Sequence, residues 1–421
     1  MILSFDVRRA RKGDCSILHF GTPDEPGLVL TDGGPSQVWK PQLKPRLAQI
    51  REARDIGDDQ PLPVDLMMLS HIDDDHINGI LELTGELVTA ADAGEPLPLK
   101  IRQLWHNSFD DIIGDTPKEL LASVTAAYGA AGLSGELDSE GFAAATAQVL
   151  ASVGQGIHLR DDARRLNLPI NKAFDGKLVK ADGKTKAVDM GKGLKMTVVG
   201  PMKQELLNLQ KEHDAFLEKS QKEKKAPTSL AAFVDDSVAN LSSIVVLAEA
   251  KNKRILLTGD ARGDKIMEGL ELVGLLPKNG NMHVDILKVP HHGSDRNMET
   301  IFFERVKANH YVFSGNGEHG NPERKTLEML LDARGNDDFT IHLTYPISEI
   351  DTGRKAEWNK QRDKEMAKKK KKPNTKVRKT WSAKKHSLAS FFTAHKAFGK
   401  KVQFVEKDKP YVIDLLDELG F

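Results

Sequence analysis

Short apolar runs that break into polar residues are the leading pattern of this sequence. Residues 64–69 are almost wholly apolar, which predicts a buried strand, and they lead into a cluster of histidines and aspartates at 71–76. Residues 254–258 and 284–289 repeat this layout, the first running into Gly-Asp and the second into Pro-His-His. Functional side chains collect at strand ends in sheet-based folds, so these three ends are the first candidates for a site.

The cluster at the end of the first run has the residue types and the spacing of a metal site. Because side chains alternate faces along a strand, His71 and Asp73 converge just past its end, and Asp75 and His76 follow in the turn. Three neighbouring carboxylates and two imidazoles repel one another unless a cation lies among them. Mixed His and Asp ligands suit zinc, manganese or iron. An exposed acidic turn with two incidental histidines is the alternative.

This cluster resembles the His-x-His-x-Asp-His metal signature of the metallo-β-lactamase superfamily, with Asp73 in place of the second histidine. The same replacement is found in the subgroup that contains the hydrolase domain of the competence protein ComEC. Leu-Thr-Gly-Asp at 257–260 and Lys-Val-Pro-His-His-Gly-Ser at 288–294 are also similar to ComEC-like hydrolases. The resemblance covers roughly residues 1–331. It implies an α/β fold of the αβ/βα four-layer sandwich type, with a helical insertion and a basic C-terminal extension.

The resemblance also implies a role for each residue of the cluster. Asp260 would be the carboxylate that bridges two metal ions. Asp75 and His76 would bind one ion, and His71 and Asp73 the other. The implied reaction is hydrolysis by metal-activated water, for which the cofactor is one or two divalent ions, zinc or manganese.

One of two adjacent histidines completes the implied site. We favour His291 as the ligand because it is nearer the strand, which leaves His292 to contact a substrate phosphate or to act as a general acid. Asp75 and His292 are therefore the candidate catalytic residues. The candidate substrate contacts lie further along the chain and are Ser294, His319, Asn321, Lys369, Lys371 and Trp381.

Two departures from the family pattern affect the second ion. The superfamily's third-motif histidine has no equivalent, and Asn240 and Ser243 stand in that region, as in the ComEC-like subgroup. The subgroup's late Gly-His-Pro is Gly-Asn-Pro here, with His319 two positions before Asn321. A site with few nitrogen ligands and many carboxylates makes manganese a rival to zinc.

Four further polar residues have two interpretations each. Asp32, at the end of an apolar run, either supports the metal ligands from behind or caps a turn. Cys15 is interpreted as a small buried residue rather than a nucleophile, because no activating partner is evident. His106 and Asn107 follow a predicted strand at 99–105 and either line the cleft rim or simply end that strand.

The predicted organisation is a hydrolase domain at 1–345 and a basic C-terminal region at 346–421 that packs back on it. A helical insertion is expected at about 110–190, because 110–168 are alanine-rich with few β-branched residues. Residues 203–225 predict a charged helix. In the last part of the chain, 402–405 predict a strand and 411–416 a short helix.

Composition indicates where the protein is located. The chain has 421 residues, 39% of them hydrophobic, and one cysteine, so we expect a reducing, cytoplasmic location. No signal peptide and no apolar run near the roughly 20 residues of a membrane span are present, so we expect a soluble protein. The formal charge is zero, but residues 353–401 hold 18 Lys/Arg against 3 Asp/Glu, which leaves the rest of the chain acidic.

The basic segment has several interpretations. Five consecutive lysines at 368–372 form a solvated linker, a solubilising face or a polyanion contact. Trp381, Phe391, Phe392 and Phe398 follow, and basic residues interleaved with aromatics suit phosphate contact and base stacking. Residues 387–397 equally predict a core helix. Nucleic acid is therefore the expected partner, and no membrane partner is expected.

Three functional hypotheses follow. The first is a metal-dependent nuclease or phosphodiesterase acting on DNA or RNA, with a role in defence against foreign nucleic acid by family analogy alone. The second is an esterase, a lactonase or a small phosphodiesterase with the insertion as a lid. The third is a binding module with a vestigial metal site. The lysine-rich stretches could also be cleaved by a regulatory partner protease.

Overall fold

The computed structural model describes residues 1–57, 59–107, 144–207, 242–335 and 337–421, with the backbone alone for 144–153 and 297. The fold is mixed α/β, as predicted. Within the described residues, one sheet has six strands, a second has eight, and two short strands pair separately.

The strands are short and numerous. In chain order they are β1 (Ile2–Val7), β2 (Cys15–Gly21), β3 (Pro26–Gly33), β4 (Leu62–Val64), β5 (Leu66–Met68), β6 (Leu99–Ile101), β7 (Leu104–Trp105), β8 (Val188–Gly191), β9 (Leu194–Gly200), β10 (Val245–Ala250), β11 (Lys253–Leu257), β12 (Met282–Lys288), β13 (Val306–Phe313), β14 (Thr340–Leu343), β15 (Val402–Phe404) and β16 (Val412–Asp414).

Helices alternate with the strands over much of the described chain. In chain order they are α1 (Lys44–Ala53), α2 (Asp74–Asp92), α3 (Ala144–Arg165), α4 (Gly263–Leu272), α5 (Thr300–Arg305), α6 (Arg324–Arg334), α7 (Ile347–Lys371), α8 (Ala383–His386), α9 (Leu388–Ala394) and α10 (Lys396–Gly399).

Both sheets mix strand directions. The six-stranded sheet has the order β16-β1-β2-β3-β5-β7, antiparallel as far as β3 and parallel from β3 to β7. The eight-stranded sheet has the order β15-β14-β13-β12-β11-β10-β9-β8, antiparallel from β8 to β11 and parallel from β11 to β15. Since β5, β11, β12 and β13 belong to the parallel parts, the polar residues that follow them can meet at the ends of both sheets.

Three hydrophobic clusters form the core. One joins the two sheets face to face, with Phe5 and Phe20 from the first and Val246 and Ile286 from the second. A second joins the six-stranded sheet to α1, α2 and α3, and a third joins the eight-stranded sheet to the later helices, among them the aromatic residues of α5 and α9. Each sheet therefore buries both faces, which explains the wholly apolar strands of the sequence.

The strands predicted at 64–69 and at 99–105 are each divided in the structure, so those predictions were wrong in detail. Asp65 separates β4 from β5, because its carboxylate accepts a hydrogen bond from the Leu28 backbone N–H at 3.0 Å. The same carboxylate lies 3.1 Å from Lys192 Nζ and 3.1 Å from Arg102 Nη1. β4 then pairs with β6, whereas β5 pairs with β3 and β7. The charge network around the buried Asp65 carboxylate thus breaks what the apolar pattern presents as one run.

The C-terminal region adds one strand to each sheet. β15 extends the eight-stranded sheet beside β14, which confirms the strand predicted at 402–405. The short helix predicted at 411–416 is wrong: β16 pairs antiparallel with β1, and Ile413 is buried. The domain boundary at 345 stays a prediction.

The rings that follow the basic segment belong to the core. Phe391, Phe392 and Phe398 are buried in the cluster that covers the eight-stranded sheet. They are not exposed for base stacking, so the core-helix alternative holds for 387–397. Helical periodicity with buried rings explains the pattern without a ligand.

The predicted insertion is described only in part. Helix α3 confirms the helical prediction for the last part of 110–168. It packs on α2, where Thr84 Oγ1 donates to Asp162 Oδ2 of α3 at 2.7 Å. Residues 108–143 and 208–241 lie outside the described residues, and with them most of the helix predicted at 203–225 and Asn240. Among the helices that are described, none has the length and apolar character needed to cross a membrane.

Candidate metal centre

The candidate ligands come from loops at the ends of three strands. β5 leads into the cluster at 71–76, β11 into Asp260 and β12 into a short helical turn, Pro290–Gly293, that carries His291 and His292. Both histidines have left-handed backbone conformations, with φ of 48° and 54°. Non-glycine residues rarely adopt this conformation, and where they do the surrounding structure enforces it, often at functional sites.

Helix α2 presents its first turn to the centre because it lies unusually close to β3. A Cβ atom on Gly79 would lie 1.9 Å from the carbonyl oxygen of Gly33, so only glycine allows this approach. The Gly79 backbone N–H donates to Gly34 O at 3.0 Å. The contact directs His76, in the first turn of α2, into the buried space between the sheets.

The first group of ligand atoms, here called the inner half, surrounds one oxygen of Asp260. Its members are Asp75, His76 and His292. His76 Nε2 lies 3.3 Å and His292 Nε2 3.4 Å from Asp260 Oδ1, and the two ring nitrogens are 3.3 Å apart. Asp75 Oδ2 lies 3.5 Å from His292 Nε2. Four ligand-type atoms from three chain segments therefore face one small space.

The second group, the outer half, surrounds the other oxygen of Asp260. Its members are His71, Asp73 and His291. His291 Nε2 lies 3.6 Å and His71 Nε2 3.8 Å from Asp260 Oδ2, and His71 Nε2 lies 3.6 Å from Asp73 Oδ2. Asp260 thus turns one carboxylate oxygen toward each half, as a bridging ligand would.

Residues behind the inner half hold its imidazoles. Asp32 Oδ2 lies 2.9 Å from His76 Nδ1, and Asp32 Oδ1 accepts a hydrogen bond from the Ser70 N–H at 2.7 Å. Of the two interpretations of Asp32, the structure therefore favours support of a ligand. Asp14 takes the equivalent position behind His292, with its Oδ1 3.2 Å from Nδ1.

The donor set fits a divalent cation. Asp14, His76, Asp260 and His292 are all buried, and each offers a ligand-type atom within 4.8 Å of the others. Among the residues that the structure describes, His71 Nε2 and Asp260 Oδ1 are buried atoms without a hydrogen-bond partner. A buried polar atom without a partner is costly, so these atoms are suited to an ion between them.

The metal-free cluster is held together by opposite charges. Burial alone would raise the pKa of the Asp260 carboxyl, but the imidazoles of His292, His291 and His76 outweigh burial and hold this pKa well below its usual range. Burial alone would lower the pKa values of His76 and His292, but the Asp260 carboxylate raises both well above their usual value. His291 differs, since burial lowers its pKa and Asp260 offsets that effect only in part.

Three of the predicted substrate contacts lie near the outer half. Ser294 is buried, and its N–H donates to the His291 carbonyl at 2.9 Å. Asn321 Nδ2 donates to the same carbonyl at 3.5 Å. His319 is exposed on a short turn with φ of 58°, and its side chain lines a cavity of about 690 Å³.

The other three predicted contacts lie on or after α7. Lys369 and Lys371 are exposed in the last turn of α7. Trp381 is half-buried, with its ring 5.9 Å from that of Trp358 and the Arg354 guanidinium 5.8 Å from its centre. This packing anchors the chain that follows α7, and Trp381 lines the same cavity as His319, so its contact with a substrate stays a prediction.

Two residues predicted at the cleft rim are structural. The His106 N–H donates to Asn171 Oδ1 at 2.9 Å, and Asn107 exchanges two hydrogen bonds of 2.8 Å with the backbone of Val179. Both residues are buried and hold the segment that follows α3, so the structure favours the interpretation that they end the strand. Cys15 is buried, as predicted, and burial raises the pKa of its thiol.

Sequence reasoning missed Asp14, Ser70, Lys288 and Ser314. Sequence reasoning assigned Asp14 no role in the site, and Lys288 appeared only as a member of the strand at 284–289 and of the motif at 288–294. One signal was present: Lys288 lies between Leu287 and Val289 in a mainly apolar run, and a lysine in a buried strand needs a partner. The partner, however, lies 274 positions away along the chain and cannot be identified from spacing.

Comparisons with known proteins give short or distant matches. No family model matches the chain. Microtubule-associated protein 1A of Rattus norvegicus, Mus musculus and Homo sapiens is 35% identical over 81 residues. This match spans 19% of the chain and only 3% of the length of those curated relatives.

Two solved structures are similar at low identity. A diphosphatase from the PhnP family is 13% identical with a TM-score of 0.33, and the match covers 77% of this chain and 90% of that one. A candidate metal-dependent hydrolase from Parabacteroides distasonis is 9% identical with a TM-score of 0.30, covering 80% and 97%. At TM-scores this low, the function proposed below rests on the site itself.

Proposed function

We propose that the protein is a metal-dependent hydrolase of phosphodiesters that acts on nucleic acid, with the four-layer fold of ComEC-like metallo-β-lactamase relatives. The observation that carries this proposal is the position of Asp260, whose two carboxylate oxygens face two separate groups of ligand-type side chains. The three hydrophobic clusters support the layer arrangement.

The inner half would hold one divalent ion through Asp75, His76 and His292, and the outer half a second through His71, Asp73 and His291. Asp260 would contribute one oxygen to each. A bound divalent cation lowers the pKa of water and stabilises negative charge on a phosphoryl or acyl oxygen. His291 and His292 are thus both ligands in this proposal, which modifies the expectation that His292 is a general acid.

Charge allows phosphodiesters to bind once both halves are filled. The carboxylates of Asp73, Asp75 and Asp260, with Asp32 behind His76, carry four negative charges, which exceed the charge of one divalent cation and equal that of two. A half-filled centre therefore repels an anionic substrate, whereas a filled centre does not. A neutral ester does not depend on this balance to the same degree.

A cavity near the loop that carries His291 offers room for part of a substrate. It has a volume of about 690 Å³, and its lining residue Glu323 donates its backbone N–H to Gly293 O at 3.0 Å. The loop before β2 closes one side of the centre, since the Asp14 N–H donates to Asp75 O at 3.2 Å. Lys12 in this loop lies 3.4 Å from Asp74 Oδ2 at the start of α2, so an ammonium stands near the ligand cluster.

The lysines at 368–372, here called the lysine tip, are suited to the distant part of a long substrate. Arg354 ties the start of α7 to the turn that carries His319, with its Nε donating to Gly320 O at 3.0 Å. Lys369 lies fifteen residues further along α7, which at 1.5 Å per residue is about 22 Å. That distance corresponds to roughly seven nucleotides of a strand, so the lysine tip contacts nucleic acid away from the bond that is cleaved.

The direct test is hydrolysis with a defined metal. Chelator-treated protein is titrated with manganese or zinc and assayed on bis(p-nitrophenyl) phosphate and on DNA and RNA oligonucleotides of about 4 and about 30 nucleotides. We expect turnover of the small diester and of both nucleic acids, with a lower KM for the longer strands. Asp260→Asn should lower kcat/KM by about a thousandfold, since several kcal/mol of charge stabilisation are lost.

The matched control is Asp264→Asn. Asp264 is an exposed aspartate four residues from Asp260, and it pairs with Arg262 at 2.8 Å. Its loss should leave turnover unchanged. Cleavage of neutral esters without cleavage of any phosphodiester would instead support the esterase alternative, and a wild-type protein that binds no metal would leave only the binding-module alternative.

A further inference from the structure

A buried ion pair lies directly behind the imidazole of His292. Lys288 at the end of β12 pairs with Asp14, the residue before β2, and both are buried. Lys288 Nζ also donates to the Gly259 carbonyl at 3.4 Å, one residue before Asp260. The pair therefore connects the two sheets at the floor of the metal centre.

Stability alone does not explain this pair. Removing two charges from water costs several kcal/mol per ion, and well-packed apolar residues often serve a core equally well. The preceding part of β12 does bury apolar side chains, among them Val284, Ile286 and Leu287. A lysine at the end of this strand needs an explanation in terms of its neighbours.

The neighbours identify what the pair holds. Asp14 Oδ1 lies 3.2 Å from His292 Nδ1, and Ser314 Oγ lies 3.0 Å from the same ring nitrogen. Ser314 Oγ also donates to Asp14 Oδ1. Nε2, on the opposite edge of the His292 ring, is the atom that faces Asp75 and Asp260. Asp14 thus lies on the far side of the ring from the inner half, although its oxygens come close to the ligand atoms.

His76 has a similar partner with different chemistry. Asp32 stands behind its Nδ1 at 2.9 Å, and the hydrogen-bond donors to Asp32 are the Ser70 N–H and hydroxyl, at 2.7 and 2.8 Å. Neutral donors hold Asp32, whereas a buried ammonium holds Asp14. The charge that Asp14 adds behind the centre is cancelled within the pair.

We propose that Asp14 and Lys288 form a charge-balanced positioning pair for His292. Asp14 holds the hydrogen on Nδ1, which leaves the Nε2 lone pair directed at the inner half. Lys288 fixes the Asp14 carboxylate and prevents it from adding a net negative charge. This inference rests on the proposed function, because it assumes that the inner half binds a cation.

The test measures metal binding rather than turnover. The dissociation constant of the tighter Mn²⁺ or Zn²⁺ site is measured by competition with a chromophoric chelator, and the visible spectrum of the Co²⁺-loaded protein reports ligand geometry. Asp14→Asn should weaken the tighter site by about 10- to 100-fold, the usual effect of losing the partner behind a histidine ligand. Its Co²⁺ spectrum should change as well.

The charge balance is tested by a double variant. Lys288→Met leaves a buried carboxylate unpaired, so it should weaken metal binding and lower Tm. Asp14→Asn/Lys288→Met removes both charges, and its loss of affinity should be clearly smaller than the product of the two single losses. Lys288→Arg keeps the charge and serves as the rescue variant if Lys288→Met does not fold.

A second ion pair that involves β12 is the matched control. Lys253 Nζ at the start of β11 lies 3.0 Å from Asp285 Oδ1 in the middle of β12. Asp285→Asn should change Tm without changing the metal dissociation constant. Unchanged affinity and spectrum in Asp14→Asn, or single-variant losses that simply multiply, would overturn the positioning role. A wild-type protein that binds metal but hydrolyses nothing would refute the proposed function alone.

Discussion

The inner and outer halves of the candidate centre share Asp260 but are built differently. In the inner half, Asp75 is 20% exposed, but His76 and His292 are 0% and 2% exposed and each has a carboxylate behind its Nδ1. In the outer half, His71 is 0% exposed, but Asp73 and His291 are 30% and 29% exposed, and the Nδ1 of His71 contacts the Ser70 hydroxyl at 3.1 Å instead of a carboxylate.

This difference indicates that the two ion sites have unequal affinities for metal. Ligands that are buried and oriented by partners lose little freedom when an ion binds, whereas partly exposed ligands must be ordered at that moment. We therefore expect the inner half to fill first and the outer half to fill at higher metal concentration. Activity on anionic substrates would then follow the filling of the outer half.

The largest expected effect comes from removing one ligand from each half. His76→Gln should reduce the bound metal to well below one ion per chain, because the inner half is lost and the outer half binds weakly. His291→Gln should retain about one ion, held by the inner half. Metal analysis after dialysis at a fixed free-ion concentration measures both, and equal losses in the two variants would contradict the comparison.

The second prediction concerns protons. Burial lowers the pKa values of His76 and His292, but Asp260 outweighs burial and raises them, so a cation entering the inner half competes with protons for these rings. Burial lowers the pKa of His291, so protons compete less for its ring. Calorimetric titrations in two buffers of different ionisation enthalpy should show more protons released with the first ion than with the second.

Lower pH should accordingly weaken the tighter site more than the weaker one. As the pH falls, protons compete with the ion for His76 and His292 of the inner half, because the pKa values of these rings are raised. Protons compete less for His291, because its pKa is lowered. Equal pH dependence of the two dissociation constants would refute this distinction.

A third prediction concerns the helix that carries the inner half. Gly79→Ala would place a Cβ atom 1.9 Å from Gly33 O, so α2 must move away from β3. We expect a loss of about 1–3 kcal/mol in the free energy of unfolding, as for other overpacked sites, together with weaker metal binding. Gly85→Ala is the control on the same helix, since its Cβ would meet no atom within 4 Å. That control should be slightly stabilising.

The smallest effect is expected at Glu323, beside the outer half. Burial and the neighbouring Asp295 carboxylate raise the pKa of Glu323 to about 7, from 4.5 in a free side chain. The folded protein therefore keeps a proton that the unfolded chain releases. The resulting stability is complete below pH 4.5 and is lost as the pH rises to about 7.

Glu323→Gln should remove this loss and raise Tm by about 1–3 °C at alkaline pH, with little change under acidic conditions. Glu328→Gln is the control on the same helix, where the carboxylate accepts a hydrogen bond from Arg324 at 2.9 Å. Thermal unfolding at several pH values measures both variants. A gain that is independent of pH would rule out titration of Glu323 as the cause.

Much of the ligand set could be predicted because most of the ligand residues are neighbours in the sequence. His71 to His76 and the pair His291-His292 stand directly after apolar runs, and the structure brings these ends together. The partners behind the ligands could not be predicted, because Asp14 and Lys288 meet only when the two sheets pack. Spacing along the chain also could not separate His291 from His292, which face different oxygens of Asp260.

The fold shows the same limit. Apolar runs located the strands, but they did not show that Asp65 divides one of them or that β16 joins β1 across almost the whole chain. The aromatic residues after the lysine tip suggested base stacking, yet Phe391 and Phe392 fill the core. Composition specifies which residue types are present, and only packing decides which of them stay available to a ligand.

Anomalous X-ray diffraction from crystals soaked in manganese or zinc tests the central claim most directly. The account predicts two peaks about 3.5–4 Å apart, one on each side of the Asp260 carboxylate. The stronger peak should lie between His76 and His292, and the weaker between His71 and His291. A single peak outside this cluster, or no peak at all, would contradict the bridging role of Asp260 and the hydrolase function that depends on it.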